Sequence, residues 1–348
     1  MMRHLIKFLV LAILLFAAPA WAESTSAVVL MYHRFGEAKY PTTNTTLAQL
    51  DAHIAYLRQN TFNVVPLSDI VQALKDRKPL TPKTIAITID DAYKSVFTEA
   101  FPRFKKAGFP FTVFVATEAV DKKYTDIMTW DDLRTLKAAG VSLEGHSHAH
   151  PHAPALSTDE VAQDLETMKA RFKAELNIAP ALYAHPYGEA GRADLEIVRK
   201  AGFDAAFGQN SGPVYAEGDM FLLPRFALNE HYGAMDRFQL VVNTKPLRAV
   251  DVQPSDPVLR DAKPVLTFTV HEPPGDLLGL SCFGPRGERL NTSANKVAVT
   301  VTPTTPFPTG RARVNCTIKV QNQWYWFGQE FLAGGMTEGV RVHPRYLK

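Results

Sequence analysis

Three junctions in this 348-residue chain share one design: Lys106-Ala107-Gly108-Phe109, Lys137-Ala138-Ala139-Gly140-Val141 and Lys200-Ala201-Gly202-Phe203. Each ends a helical run on a basic residue, turns on glycine and restarts on an apolar residue. Glycine takes the left-handed position past a helix end without a Cβ penalty, and the cation suits the negative end of the helix dipole. Strand runs at Val28–His33, Phe62–Val65, Phe111–Val115 and Val141–Glu144 alternate with helical patterns. Thr46 and Gln49 form a capping box before Leu47, Leu50, Ile54 and Leu57, and Ser68 starts a short helix. Ser157 and Glu160 cap a third helix with Val161, Leu165, Met168, Phe172 and Leu176 on its inner face. Such alternation predicts an α/β fold, a parallel sheet with outer helices. About seven strand runs between Val28 and Leu228, with the polar residues at their C-terminal ends, favour closure into a barrel over a doubly wound sheet.

The pattern changes near Pro246. An Asp- and Pro-rich stretch from Val250 to Pro264 leads into strand runs with no helix between them: Val265–Val270, Lys296–Thr302, Val314–Val320 and Tyr325–Leu332. We expect two domains, residues 23–248 and a small all-β domain, an immunoglobulin-like sandwich, at 249–348. The chain is long enough for two cores. Arg3 and Lys7 precede a short apolar run from Phe8 to Ala18, and Ala20-Trp21-Ala22 offers a small-residue cleavage site. Residues 1–22 therefore read as a signal peptide cut after Ala22, giving a periplasmic or secreted product with no transmembrane segment. In an oxidising compartment the two cysteines, Cys282 and Cys316, are expected to pair. The residues after Ala333 read as a frayed end. A net charge of +3, with no stretch interleaving basic and stacking aromatic residues, excludes nucleic acid as a partner.

The chemistry gathers at strand ends. Thr84-Ile85-Ala86-Ile87-Thr88-Ile89 is an alternating β-branched run that stops on Asp90-Asp91. Two adjacent carboxylates repel when both are ionised, so one is expected to hold a cation while the other handles a proton. Gly145-His146-Ser147-His148-Ala149-His150-Pro151-His152 supplies imidazoles after a second strand run. One aspartate and two histidines with an open position make the ligand set of a hydrolytic metal site. Which histidines serve is left open, because His148 and His152 alternate with His146 and His150. The blander readings are a solvated turn for the acids and a metal-scavenging tract for the histidines. Asp131-Asp132 repeats the double acid, but after Thr129 at a helix start, where acids cap N–H groups, and we exclude it. Trp130 is a candidate wall of a sugar groove, with packing as its ordinary role. Trp324 and Trp326 share one strand face, with core and edge the ordinary reading.

Thr88-Ile89-Asp90-Asp91, His146-Ser147-His148-Ala149-His150 and His185-Pro186-Tyr187-Gly188, in this order and spacing, resemble the first three motifs of the polysaccharide deacetylases with a NodB-type domain, carbohydrate esterase family 4. The resemblance covers about Val28 to Phe238. It implies a distorted (β/α) barrel holding one divalent metal, zinc ahead of cobalt, nickel or iron. It implies Asp90 as catalytic base, Asp91, His146 and His150 as ligands, and the Tyr187 backbone N–H as part of an oxyanion hole. Met31-Tyr32-His33-Arg34 and Pro186-Tyr187-Gly188 look most like the branch that de-N-acetylates poly-N-acetylglucosamine, so the implied substrate partner is an amino-sugar polysaccharide. An exopolysaccharide-export partner fits that branch, and no residue here names it.

Two positions depart from the pattern. Ala184 stands where many members carry Arg, and Arg225 in Leu223-Pro224-Arg225-Phe226 is a replacement for that charge. The late motif histidine is not recognisable, which leaves His231 and the early His33 as candidate acids. His33, Pro186, Trp130, Arg225 and His231 complete the candidate site as substrate-side residues. The competing readings are a carbohydrate-binding relative that lost turnover and a deacetylase of peptidoglycan or chitin.

Overall fold

The computed structural model describes residues 26–334. The signal peptide expected at 1–22 and, apart from Gly334, the frayed end expected after Ala333 lie outside the described residues. The strand Thr84–Asp90 is buried along its whole length. It pairs in parallel with Ser26–Tyr32 on one side and Thr112–Val115 on the other. Ser142–Gly145, Leu182–Ala184 and Ala205–Phe207 follow in parallel, and Val214–Tyr215 lies antiparallel beside Ser26–Tyr32 at the other end. The result is a curled sheet with a seven-strand path, flanked by helices.

The capping signals act where the residues placed them. Thr46 and Gln49 exchange both capping-box bonds ahead of helix Leu47–Gln59, and Ser157 and Glu160 do the same for Thr158–Leu176. Gly108, Gly140 and Gly202 have φ of 72°, 86° and 87°, the left-handed conformation their junctions require.

Strand alternation sorts the side chains into two apolar clusters. Val28, Leu30 and Tyr32 with Ile85, Ile87 and Ile89 face one set of helices. Ala27, Val29 and Ala86 face the other way, toward Phe114, Ala184, Phe207, Leu223 and helix Leu67–Lys75. By period two, Thr88 and Asp90 share the Ala86 face.

Leu223–Leu228 links the last strand of the path to the strand Ser26–Tyr32, the first in the chain. Leu223 exchanges backbone hydrogen bonds with Ala206 and Gly208 at the last strand of the path. Phe226–Ala227 pairs in parallel with Leu30–Met31 of the first. Arg225 lies in the middle of this seam.

Two four-stranded sheets make the all-β part. One orders Lys245–Pro246, Gln323–Ala333, Gly310–Val320 and Ser281–Phe283, and the other Ala249–Gln253, Leu266–Val270, Ala298–Thr302 and Asn291–Asn295. Their inner faces share one apolar core, with the Phe268 and Phe327 rings 4.9 Å apart across it. The strand Asn291–Asn295, polar but for Ala294, gave no apolar alternation and went unread in the sequence. Cys282 and Cys316 are disulfide-bonded and directly opposite one another on neighbouring strands of one sheet. Trp326 leans out of the sandwich, edge-on to Phe226 at 5.3 Å, with its Nε1–H on Asn315 Oδ1. It is a residue of the contact between the sandwich and the sheet. Gly328 lies so close to Ser211 that a Cβ would stand 2.1 Å from the Ser211 carbonyl oxygen.

His53 is a buried structural histidine. Its ring stacks on Phe238 at 3.9 Å, and Nε2 donates to the Gly233 carbonyl at 2.7 Å. Nδ1 must then accept from the Tyr32 hydroxyl at 3.1 Å. Burial lowers its pKa to about 4. Below the ordinary value of 6.5 the unfolded chain takes up a proton that the folded ring refuses. The stabilisation is therefore full above pH 6.5 and is lost progressively toward pH 4, by up to about 3 kcal/mol. Urea denaturation should show His53→Gln less stable than the parent at pH 7.5, with a shallower loss between pH 6.5 and 4.5.

Candidate active site

The strand Thr84–Asp90 carries Asp90 into the space beneath the seam, where Arg225 meets it. Arg225 Nη1 and Nη2 donate to Asp90 Oδ1 and Oδ2 at 2.7 and 2.8 Å, a two-pronged pair with both side chains fully buried. The remaining guanidinium bonds go to Thr88 Oγ1 at 3.2 Å and the Gly208 carbonyl at 3.1 Å. Burial, the largest single influence, would raise the Asp90 pKa, but the Arg225 charge and hydrogen bonds together with His146 and His33 outweigh it and hold the carboxyl below its ordinary value. His33 Nε2 lies 4.0 Å from Asp90 Oδ2, and burial lowers the His33 pKa.

Asp91 starts a turn with φ of 74°, followed by Ala92 at 59°. Ser147, His150 and Tyr187 are also left-handed, at 67°, 53° and 60°. Non-glycine residues in this region cost on the order of 1–3 kcal/mol each and persist where their surroundings hold them, commonly at functional sites.

The turn aims Asp91 at two imidazoles. His146 Nε2 and His150 Nε2 lie 3.3 and 3.2 Å from Asp91 Oδ1, and all three groups are buried. One ligand atom from each lies within 4.8 Å of the others. Asp91 Oδ1 has no formed hydrogen bond despite this crowding, as expected of donors gathered around a shared cation. His146 Nδ1 donates to the Ala184 carbonyl at 2.8 Å, because a carbonyl only accepts. That tautomer leaves the Nε2 lone pair facing Asp91, the arrangement a metal-binding histidine needs. The three residues can hold a metal ion.

The histidine loop is fixed from behind. Asp164, on helix Thr158–Leu176, accepts from the His148 and Ala149 N–H groups at 2.7 and 2.8 Å. Ser147 Oγ accepts from the His150 N–H at 2.9 Å. His148 turns away and pairs with Thr117 Oγ1 at 2.8 Å. His152 Nδ1 meets Glu189 Oε2 at 2.6 Å, and its ring stacks on Tyr187 at 4.1 Å with planes 6° apart. The Tyr187 ring stands edge-on to His150 at 4.5 Å. His185 is structural: Nε2 donates to the Phe221 carbonyl at 2.9 Å, and burial lowers its pKa to about 4.

Asp90, Asp91, His146, His150, Pro186, Tyr187, Arg225 and His33 thus converge at the C-terminal end of the sheet. Two expected residues do not join them. His231 is exposed, its described ring contact being with Tyr232 at 4.9 Å. Trp130 packs on the apolar core and ties its Nε1–H to Asp121 Oδ1 at 2.9 Å, so it is a packing residue. Sequence reading noted Ala184 only as an absent charge and missed its carbonyl, and it missed Asp164 and Glu189, which are ordinary charges until the loops fold onto them. Only Asp164, one residue before the inner-face Leu165, offered a signal.

Residues 77–206 match the family model described as polysaccharide deacetylase. The poly-β-1,6-N-acetyl-D-glucosamine N-deacetylase of Escherichia coli (strain K12) is 24% identical over 206 residues, 47% of this chain and 30% of that one. This chain thus spans under a third of that relative. Among solved structures, the Streptococcus pyogenes deacetylase PplD in complex with acetate aligns with a TM-score of 0.59 at 18% identity, covering 63% of this chain and 99% of that one. IcaB from Ammonifex degensii aligns with a TM-score of 0.53 at 24% identity, over 62% and 97%. The strand-end acids, the histidine loop and the family match coincide in one segment, and the chain carries a domain of the polysaccharide deacetylase family.

Proposed function

We propose that this protein hydrolyses N-acetyl groups from an amino-sugar polysaccharide of the poly-N-acetylglucosamine kind, using one divalent metal ion, zinc first. The observation that carries the reading is the buried pairing of Asp90 with Arg225 beside the Asp91, His146 and His150 cluster. Ala184 removed the expected arginine from the third motif, and Arg225 supplies the same charge from the seam. The sheet is best understood as a distorted barrel, with Leu223–Leu228 closing it.

Amide hydrolysis needs a nucleophile at neutral pH and a place for the oxyanion. An ion held by Asp91, His146 and His150 would supply Lewis acidity, polarising the acetyl carbonyl and making water a stronger acid. Asp90 is the base in this reading. Arg225 keeps it ionised and fixes both oxygens, so that one can receive the water proton while the other stays anchored. The Tyr187 backbone N–H is the proposed oxyanion donor, a role worth about 3 kcal/mol of barrier by analogy with other sites. His33, 4.0 Å from Asp90, is the candidate to protonate the leaving amine. Residues 23–248 and 249–348 form the proposed domains. Export, with cleavage after Ala22, accords with a polymer substrate outside the cytoplasm.

The deciding assay is acetate release from N-acetylglucosamine oligomers, with the protein zinc-loaded and chelated. Release should require metal and fall at least about 10²-fold in Asp90→Asn and in His146→Ala. Absence of release from poly-N-acetylglucosamine, chitin and peptidoglycan fragments, with metal bound, would favour a sugar-binding protein. Arg225→Met should abolish activity and, by leaving Asp90 buried without its counter-charge, cost about 3–5 kcal/mol of stability. In chemical denaturation the double variant Asp90→Asn with Arg225→Met should be more stable than Arg225→Met alone.

A further inference from the structure

The turn His185-Pro186-Tyr187-Gly188 is closed by short-range bonds, Gly188 N–H to the His185 carbonyl and Glu189 N–H to the Pro186 carbonyl. It turns through two consecutive left-handed residues, Tyr187 at φ 60° and Gly188 at φ 77°. Gly188 packs so tightly on Gln209 that a Cβ would stand 2.6 Å from the Gln209 Cβ. These local features leave the Tyr187 carbonyl to be satisfied from outside the sheet.

The donor comes from the sandwich. Arg311, on the strand Gly310–Val320, places Nη1 3.0 Å from the Tyr187 carbonyl oxygen. Its Nε lies 3.6 Å from Glu189 Oε1, and the other oxygen of that buried carboxylate holds His152, which stacks on the Tyr187 ring. Two residues along, on the same face of the strand, Arg313 Nη2 donates to Gln209 Oε1 at 2.9 Å and pairs with the buried Glu330. Ala312 and Val314, the alternate residues, face the sandwich core. One strand of the second unit thus grips the backbone, the supporting carboxylate and the packing neighbour of the turn. PplD is matched over 99% of its length by 63% of this chain, so more than a third of this chain has no counterpart there.

We propose that the β-sandwich completes the active site, with Arg311 as a positioning residue that holds the Tyr187 peptide in its left-handed orientation through the Tyr187 carbonyl and Glu189. The inference rests on the deacetylase reading for its catalytic consequence, while the conformational claim stands on the contacts alone. The peptide that accepts from Arg311 is the one joining Tyr187 to Gly188. Its orientation is coupled to the Tyr187 N–H through a single residue's φ and ψ.

The test uses the full chain, zinc-loaded, with Arg311→Ala, Arg311→Lys and Arg289→Ala, an exposed arginine elsewhere in the sandwich, as control. Acetate release from N-acetylglucosamine oligomers gives kcat and KM, and hydrogen exchange reads the Gly188 and Glu189 N–H groups without substrate. Arg311→Ala should lower kcat at least tenfold with KM within twofold of the parent and raise exchange at both amides at least tenfold. Arg311 is 41% exposed, so its thermal midpoint should stay within a few degrees. Lysine should recover part of kcat, because an ammonium can reach the carbonyl but cannot also hold Glu189. Arg289→Ala should match the parent in every readout. Unchanged exchange in Arg311→Ala would overturn the proposal, even if kcat falls, since the arginine would then act by touching substrate. Raised exchange with unchanged kcat would overturn its catalytic part. If the parent releases no acetate, the deacetylase reading fails and the exchange result still decides the conformational claim.

Discussion

Arg225 and Asp90 meet with both side chains fully buried, and removing either would leave the other charge without compensation. The cost of burying both ions is offset by two short bonds and by two further acceptors that use the rest of the guanidinium. Much else follows from this pair. It holds the seam against the central strand, since Arg225 lies between Leu223, which bonds to the last strand of the path, and Phe226–Ala227, which pair with Leu30–Met31. It also separates the duties of the adjacent aspartates. With Asp90 neutralised by arginine, Asp91 alone retains an unmet charge, and two imidazoles face it.

The alternation of strand and helix was legible because it rests on local chemistry: capping boxes, glycine stops and β-branched runs act within a few residues of themselves. The metal-type cluster was legible for a related reason, because Asp91 and His146 follow directly on strands whose ends fix their place, although His150, further along the second loop, was not separable from His148 and His152 before the fold was known. What lay beyond reading were contacts made by groups without a residue signature. The Ala184 carbonyl sets the His146 tautomer, and an alanine announces nothing. Arg225 could be named as a substitute charge, but only the fold shows it reaching Asp90 across 135 positions of sequence. His231 and Trp130 misled because histidine and tryptophan are informative residue types, whereas here one sits in solvent and the other fills a gap beside a helix.

The same pair shows why counting motif letters is a weak test of function. A search demanding arginine in the third motif would score this chain as defective. The electrostatic requirement is for a cation against the outer edge of Asp90, and the curl of the sheet lets the Leu223–Leu228 segment deliver it. Position in space is constrained, while position in sequence is free to migrate along whichever segment borders Asp90.

Gly328 and Ser211 touch backbone to backbone, with no room for even a methyl group between them. Such a seam has no side chains with which to adjust. A recombination event that joined this sheet to another sandwich would have to reproduce the fit in one step, without intermediates that pack partially. Where the sandwich is present, its seat on the sheet is therefore expected to be fixed rather than adjustable, unable to drift by small compensating changes of side chain.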